Sequence, residues 1–234
     1  MSGVVLEVAV SDPRDVAGAA DGGADRLHLA VPGPTCSLSP EPAQVSAVCH
    51  ESDLPVFVLL RLNDTWSTTG GEFARLVGLA EDYLGCGATG AAFGFLDADL
   101  EIDTETVTML LDRLPAVPWT FTRAVDSSLD PRRSWRRLLP LPRLVAVRSA
   151  GSPRGMSAGY EDLLATITPE NAPLVMPGGG LAAEHVPWLL RAGVRQLHLG
   201  AQVRPGGSKK AYVDAAYVRS WRSLVDAPPV DAAR

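Results

Sequence analysis

The most informative stretch of this chain is Pro173-Leu174-Val175-Met176-Pro177-Gly178-Gly179-Gly180-Leu181. An apolar run ends there in three glycines, and a helix-like segment follows. Glycine reaches backbone angles that are closed to other residues, so it lets amide N–H groups crowd toward an anion where the next helix begins. The stretch therefore predicts a buried strand followed either by an anion site at Gly178, Gly179 and Gly180 or by a tight turn without a ligand.

The same succession of strand and helix recurs along the whole chain. Short apolar, β-branched runs alternate with longer helical patterns, which is typical of parallel strands joined by crossover helices. The predicted strands cover 4–10, 26–30, 56–61, 90–95, 119–123, 144–148, 174–176 and 196–199. The predicted helices cover 13–21, 40–51, 71–84, 104–113, 131–139, 158–167, 182–192 and 213–225.

Eight such units predict an α/β fold, a closed (β/α)8 TIM-type barrel. No linker and no shift in composition separates the units, so we expect a single domain over 1–226 and a flexible C-terminal tail over 227–234. An open doubly wound sheet is the alternative. That fold has fewer units and strands that are more uniformly apolar.

Composition narrows the classes of function. The chain has 234 residues, 46% of them hydrophobic, and a net charge of −6, so it lacks the basic face that binding to nucleic acid requires. It has no apolar run of transmembrane length and no signal-peptide pattern, which predicts a cytoplasmic protein without a membrane partner. Three widely spaced cysteines indicate reduced thiols. Whether the chain forms a homo-oligomer stays open.

Three polar residues interrupt apolar strands and are expected to point into the barrel. Glu7, His28 and His198 each stand between apolar neighbours, and the first, second and eighth strands of a closed barrel are adjacent. Two imidazoles and a carboxylate can hold catalytic zinc or iron. They can equally form a hydrogen-bonded network that handles protons.

Arginines form a second set of candidates, at or just beyond strand ends. Arg61, Arg123, Arg148 and Arg204 would offer guanidinium groups to a small anion, either phosphorylated or not, at the carboxyl-terminal mouth of the barrel. Ion pairs with nearby aspartates are the alternative. Asp126 is either a catalytic acid or base, or a loop residue that caps backbone groups.

Absent motifs exclude some chemistry. Lysine occurs only at 209 and 210, outside every predicted strand, which argues against an aldolase that forms a Schiff base with a barrel lysine. Neither a G-x-S-x-G nucleophile elbow nor a P-loop is present.

The ordered motifs resemble those of the CutC copper-homeostasis family over about residues 6–204. The matching segments are Leu6-Glu7-Val8, Gly22-Gly23-Ala24-Asp25-Arg26, Ser39-Pro40, Arg61, Phe93-Gly94-Phe95-Leu96, Thr120-Phe121 with Arg123 and Asp126, Met176 to Gly180, and His198. The resemblance implies a (β/α)8 barrel, a role in copper homeostasis and copper as a bound ion.

The chain also departs from the family pattern at polar positions. His28 and Ala30 stand where the family usually has glutamate and cysteine, Thr122 where it has histidine, and Asn63 where it has a second arginine. Loss of a strand-end thiol weakens a Cu(I) site, because thiolates and thioethers favour that ion. Three functions follow: copper binding, an enzyme that acts on a small anionic metabolite, or a divergent paralogue without the ancestral chemistry.

Overall fold

The computed structural model describes residues 3–33 and 35–227. Eight parallel strands form one sheet. They are β1 (Val5–Val10), β2 (Arg26–Leu29), β5 (Val56–Leu59), β6 (Gly90–Phe93), β7 (Trp119–Phe121), β8 (Leu144–Ser149), β9 (Val175–Pro177) and β10 (Gln196–Leu199). Their spatial order is β10-β1-β2-β5-β6-β7-β8-β9. All eight predicted strands are present. Most of the predicted tail, 228–234, lies outside the described residues.

A helix follows each strand and covers the outside of the sheet. The helices are α1 (Asp15–Asp21), α2 (Pro42–Glu51), α3 (Gly70–Gly85), α4 (Thr104–Arg113), α5 (Pro131–Leu138), α6 (Met156–Thr166), α7 (Val186–Arg191) and α8 (Ala215–Asp226). The helix predicted over 182–192 is shorter. Its first turn, Ala183–His185, is a 3-10 turn, and Pro187 lies in the first turn of α7, where its missing N–H does no harm.

A small hairpin between β2 and α2 was not predicted. Strands β3 (Val31–Pro32) and β4 (Ser37–Leu38) pair antiparallel. Strands of two residues carry no hydrophobic period, so the sequence pattern could not reveal them. The hairpin lies at the carboxyl end of β2 and forms part of the barrel mouth.

The sheet curls into a near-closed barrel, which excludes the open doubly wound alternative. Strand β1 pairs with β10 on one side and β2 on the other, so Glu7 stands opposite both His198 and Arg26. Strands β9 and β10, the two ends of the order, also lie in contact. A Cβ atom built at Gly178 would lie 3.1 Å from His198 Cβ.

The hydrophobic core lies between the sheet and the helices. Leu6, Val8, Leu27 and Leu29 are fully buried there. The alternate residues of the same strands face the barrel interior, because side chains alternate along a strand. No helix in the described ranges is long and apolar enough to cross a membrane.

Candidate functional site

A cleft of about 890 Å³ opens at the carboxyl-terminal mouth of the barrel. Its volume falls in the range that small-molecule sites occupy. Eight of the predicted site residues line it: His28, Arg61, Arg123, Arg148, Gly179, Gly180, His198 and Arg204. The remaining three, Glu7, Asp126 and Gly178, do not line the cleft but contact residues that do.

Glu7 is the centre of a buried polar network beneath the cleft. Its side chain is fully buried, and Arg26 Nε donates to its Oε2 at 2.7 Å. Its Oε1 lies 2.7 Å from His198 Nδ1 and accepts a longer bond, 3.3 Å, from Arg148 Nη2. Arg26 also stacks on Phe57, with 4.4 Å between its guanidinium carbon and the ring centroid.

The network fixes the protonation of its members. Burial alone would raise the pKa of Glu7, but Arg26, His198 and Arg148 together hold that pKa well below its usual value. Glu7 is therefore a carboxylate that only accepts hydrogen bonds. His198 Nδ1 must then carry the proton, which leaves Nε2 as the free nitrogen of a ring that lines the cleft.

Both barrel histidines are neutral. Burial, followed by the positive charge of Arg148, lowers the pKa of His198 to about 4. The same two causes hold the pKa of His28 well below the ordinary value. The two rings meet edge to face, with 5.5 Å between their centroids. At neutral pH neither ring carries positive charge.

The interior consequently holds more positive than negative charge. Among the described residues, the buried charged side chains at the barrel centre are Glu7, Arg26 and Arg148, and the histidines are neutral. One carboxylate thus faces two guanidinium groups. Arg148 is the less well paired of the two, because its Nε is buried without a hydrogen-bond partner in the described protein. A buried charge without a full partner is unfavourable unless a ligand completes it.

Arg123 and Asp126 hold the loops at the mouth together. Asp126 accepts from Arg123 Nε at 2.7 Å, from Ser149 Oγ at 2.6 Å and from the backbone N–H of Ala150 at 3.0 Å. Burial raises the pKa of Asp126 despite these bonds. Its position is that of a loop anchor, and its side chain reaches the cleft only through Arg123. A catalytic role for Asp126 stays a prediction.

Arg61 and Arg204 line the cleft with most of their donors already engaged. Arg204 forms a bidentate salt bridge with Asp15, and both of its hydrogen bonds are 2.9 Å long. Arg61 donates to the backbone carbonyls of residues 63, 64 and 65 and stacks on Trp66 at 3.7 Å. Both arginines stabilise loops. Arg61 and Arg123 each keep only Nη1 without a partner in the described chain, so Arg148, whose Nε is unpaired, is the best anion candidate.

The glycine loop contributes close packing and backbone N–H groups. A Cβ at Gly178 would lie 3.4 Å from Arg148 Cγ, and one at Gly179 would lie 2.7 Å from Arg123 Nη1. Gly179 and Gly180 have φ values of 78° and 97°, which only glycine adopts without strain. Their N–H groups have no acceptor in the described part of the chain. The loop thus packs Gly178 against Arg148 and Gly179 against Arg123, and leaves two amides unused.

The zinc or iron centre suggested for Glu7, His28 and His198 is not formed. In residues 3–33 and 35–227, no group of three or more His, Cys, Asp and Glu side chains is arranged to hold a metal ion. Both Glu7 oxygens are taken by arginines and His198. The three residues do come together, but as a hydrogen-bonded and stacked network.

Comparison with known proteins identifies the family. The sequence model of the CutC family matches residues 4–203. This chain belongs to the CutC family. A family protein CutC from Klebsiella pneumoniae is 27% identical over 209 residues, which cover 85% of this chain and 84% of that protein.

Solved structures confirm the TIM-type barrel. A CutC protein from Streptococcus agalactiae, described as a copper homeostasis protein, superposes with a TM-score of 0.75 at 20% identity. The match covers 84% of this chain and 98% of that one. A thiamine phosphate pyrophosphorylase from Pyrococcus furiosus gives a TM-score of 0.60 at 15% identity, and 96% of each chain is covered. At these identities the likeness shows the fold alone.

The donor set at the mouth of this CutC protein does not fit a Cu(I) ion. Cu(I) prefers thiolate and thioether ligands. Cys36 is the one thiol among the described lining residues. Burial and the acceptor Asp64, 3.0 Å away, raise its pKa, so it stays a thiol. The thioether of Met176 faces the guanidinium of Arg26, whose charge opposes a cation.

Proposed function

We propose that this CutC protein acts in copper homeostasis in the cytoplasm by binding a small oxyacid anion at its barrel mouth. The single observation that carries the anion site is the buried surplus of positive charge, two guanidinium groups against the carboxylate of Glu7. An anion beside Arg148 would complete this charge balance. The link to copper rests on the family to which the chain belongs and on its Streptococcus relative.

The wall of the cleft supports the same ligand class. Arg148 lies at its floor, and Arg123 reaches it from the loop after β7. Arg123 uses Nε and Nη2 for protein contacts, which leaves Nη1 beside Gly179. Guanidinium groups and backbone amides are the donors that carboxylate and phosphate prefer. His198 Nε2 would stand as a proton acceptor next to the bound anion.

We expect Arg148→Met to separate stability from binding. The substitution removes the poorly paired charge and leaves Glu7 with Arg26 and His198, so the free energy of unfolding should stay within about 1 kcal/mol of wild type. Affinity for inorganic phosphate, measured by calorimetry, should fall at least about tenfold, because a charge-assisted bond contributes that much. Arg132→Gln removes an exposed positive charge from α5 and serves as the control, with wild-type affinity. Equal affinity of wild type and Arg148→Met would exclude the site.

Direct copper chelation is expected to be weak. In titrations of the reduced protein with Cu(I) against a competing chelator, the affinity should not exceed that of an isolated thiol, and Cys36→Ser should change it little. A tight, stoichiometric Cu(I) complex that Cys36→Ser abolishes would contradict this.

The copper role itself is tested in a bacterial strain without its own CutC protein. Wild type should restore copper tolerance, and Arg148→Met should not.

A further inference from the structure

The floor of the cleft carries polar atoms that neither the fold nor the anion site uses. In the described chain, His28 Nδ1 and Thr122 Oγ1 are buried without a hydrogen-bond partner. Both side chains line the cleft, and they are 3% and 5% exposed. A buried polar atom left unpaired is unfavourable, so a ligand with polar groups that pair with both atoms would be favoured at this floor.

The positions of these atoms define the shape of that ligand. His28 lies on β2 and Thr122 directly follows β7, three places apart in the order of eight strands. The two side chains therefore approach the cleft from different sides of the barrel. Arg148, on β8, stands next to Thr122 around the barrel. A molecule that contacts all three extends from the anion site across the floor.

The chemistry of the atoms defines its polar groups. His28 is neutral, so its Nδ1 is either one donor or one acceptor, and the Thr122 hydroxyl can be both. Neither carries charge, and a hydroxyl group is the neutral partner that satisfies either tautomer. Small residues leave room for it, since Ala30 and Ala9 line the same space.

We propose that the ligand is a short hydroxylated oxyacid, with its acid group at Arg148 and hydroxyl groups at His28 and Thr122. This inference rests on the proposed anion site and deepens it. Phosphate and carboxylate heads share the chemistry at Arg148. The hydroxyl groups distinguish this class from simple anions and from apolar acids.

The test compares probes that differ only in their hydroxyl groups. Calorimetry measures glycerol 3-phosphate against propyl phosphate, glycerate against propionate, and inorganic phosphate alone. In wild type the hydroxylated member of at least one pair should bind about tenfold more tightly than its partner, the factor of about one net hydrogen bond. The pair that binds more tightly identifies the head group.

Three variants test whether this preference comes from the floor: Thr122→Val, His28→Leu and Thr122→Ser. Thr122→Val keeps the volume of the side chain and removes its hydroxyl, and Thr122→Ser keeps the hydroxyl. Thr122→Val and His28→Leu should each lower the affinity ratio between the hydroxylated probe and its plain partner from about tenfold to about threefold or less. Inorganic phosphate should bind both variants as it binds wild type. Thr122→Ser should retain the preference.

The outcomes separate the two proposals. If hydroxylated and plain probes bind equally well in wild type, yet Arg148→Met weakens both, the floor subsite is wrong and the anion site stands. If the preference exists but survives both Thr122→Val and His28→Leu, the subsite is also wrong. If no probe shows binding that depends on Arg148, both proposals fall.

Discussion

Glu7→Gln will lower the free energy of unfolding by about 3–5 kcal/mol, the range found when one partner of a buried ion pair is removed. Glutamine has nearly the volume of glutamate, so no cavity forms. What is lost is the only buried carboxylate that faces Arg26 and Arg148 among the described residues. Both guanidinium groups would then stay buried without a counter-charge.

Urea denaturation at pH 7 measures this change. Glu81→Gln, at an exposed position of α3, is the matched control and should unfold near the wild-type midpoint. Adding Arg148→Met to Glu7→Gln should recover part of the loss, because one unpaired guanidinium group disappears. A loss below about 1 kcal/mol for Glu7→Gln, typical of a surface pair, would show that Glu7 does not hold the network together.

The second large effect is a loss of stability in mild acid. Burial and Arg148 lower the pKa of His198 to about 4, whereas an ordinary histidine titrates near pH 6.5. As the pH falls below about 6.5, His198 takes up a proton in the unfolded chain but stays neutral in the folded chain. The free energy of unfolding therefore falls between about pH 6.5 and pH 4, by about 3 kcal/mol for this histidine.

Two further groups modify this dependence. His28, whose pKa is held well below the usual value by burial and Arg148, adds to the loss in the same pH range. Asp126 acts in the opposite direction, because burial raises its pKa and its proton uptake favours the folded state. Glu7 contributes only at lower pH, since its pKa is depressed and its stabilisation is lost below its usual value.

Urea denaturation at pH 7, 6, 5 and 4.5 and constant ionic strength measures the slope. His198→Asn, which keeps a donor for Glu7, should lose about half of the slope. His50→Asn, at an exposed position on α2, should keep all of it. An unfolding free energy that is the same at pH 7 and pH 5 would show that the barrel histidines do not resist protonation.

The sequence predicted the barrel because its signals are local and repeated. Most units show an apolar run and a helix that is capped or ends in glycine, such as α4, capped by Asp103, and α1, followed by Gly22. The inward positions of Glu7, His28 and His198 also followed from the alternation of side chains along a strand.

The same alternation, carried one step further, would have found the residues that were missed. Arg26 lies two positions before His28, Gln196 two before His198, and Thr120 two before Thr122, so each faces the barrel interior. Their contacts could not be predicted, because they depend on the register between strands. Arg26, for example, reaches Glu7 only because the two stand opposite each other.

The roles of the arginines also depended on tertiary contacts. Arg204 and Arg148 both end or follow strands, and nothing in the local sequence tells them apart. In the structure Asp15, 189 positions away in the sequence, accepts hydrogen bonds from both Nη1 and Nη2 of Arg204. Arg148, by contrast, donates one long hydrogen bond to Glu7. Long-range pairing of this kind decides which charge is free for a ligand.

A crystal structure of the protein grown with glycerol 3-phosphate tests whether the barrel mouth binds an oxyacid anion. Phosphate oxygens are expected within hydrogen-bond distance of Arg148 and Arg123, in the cleft above Glu7. An empty cleft in crystals whose mouth is open to solvent, or phosphate bound only on the outer surface, would rule out the anion site.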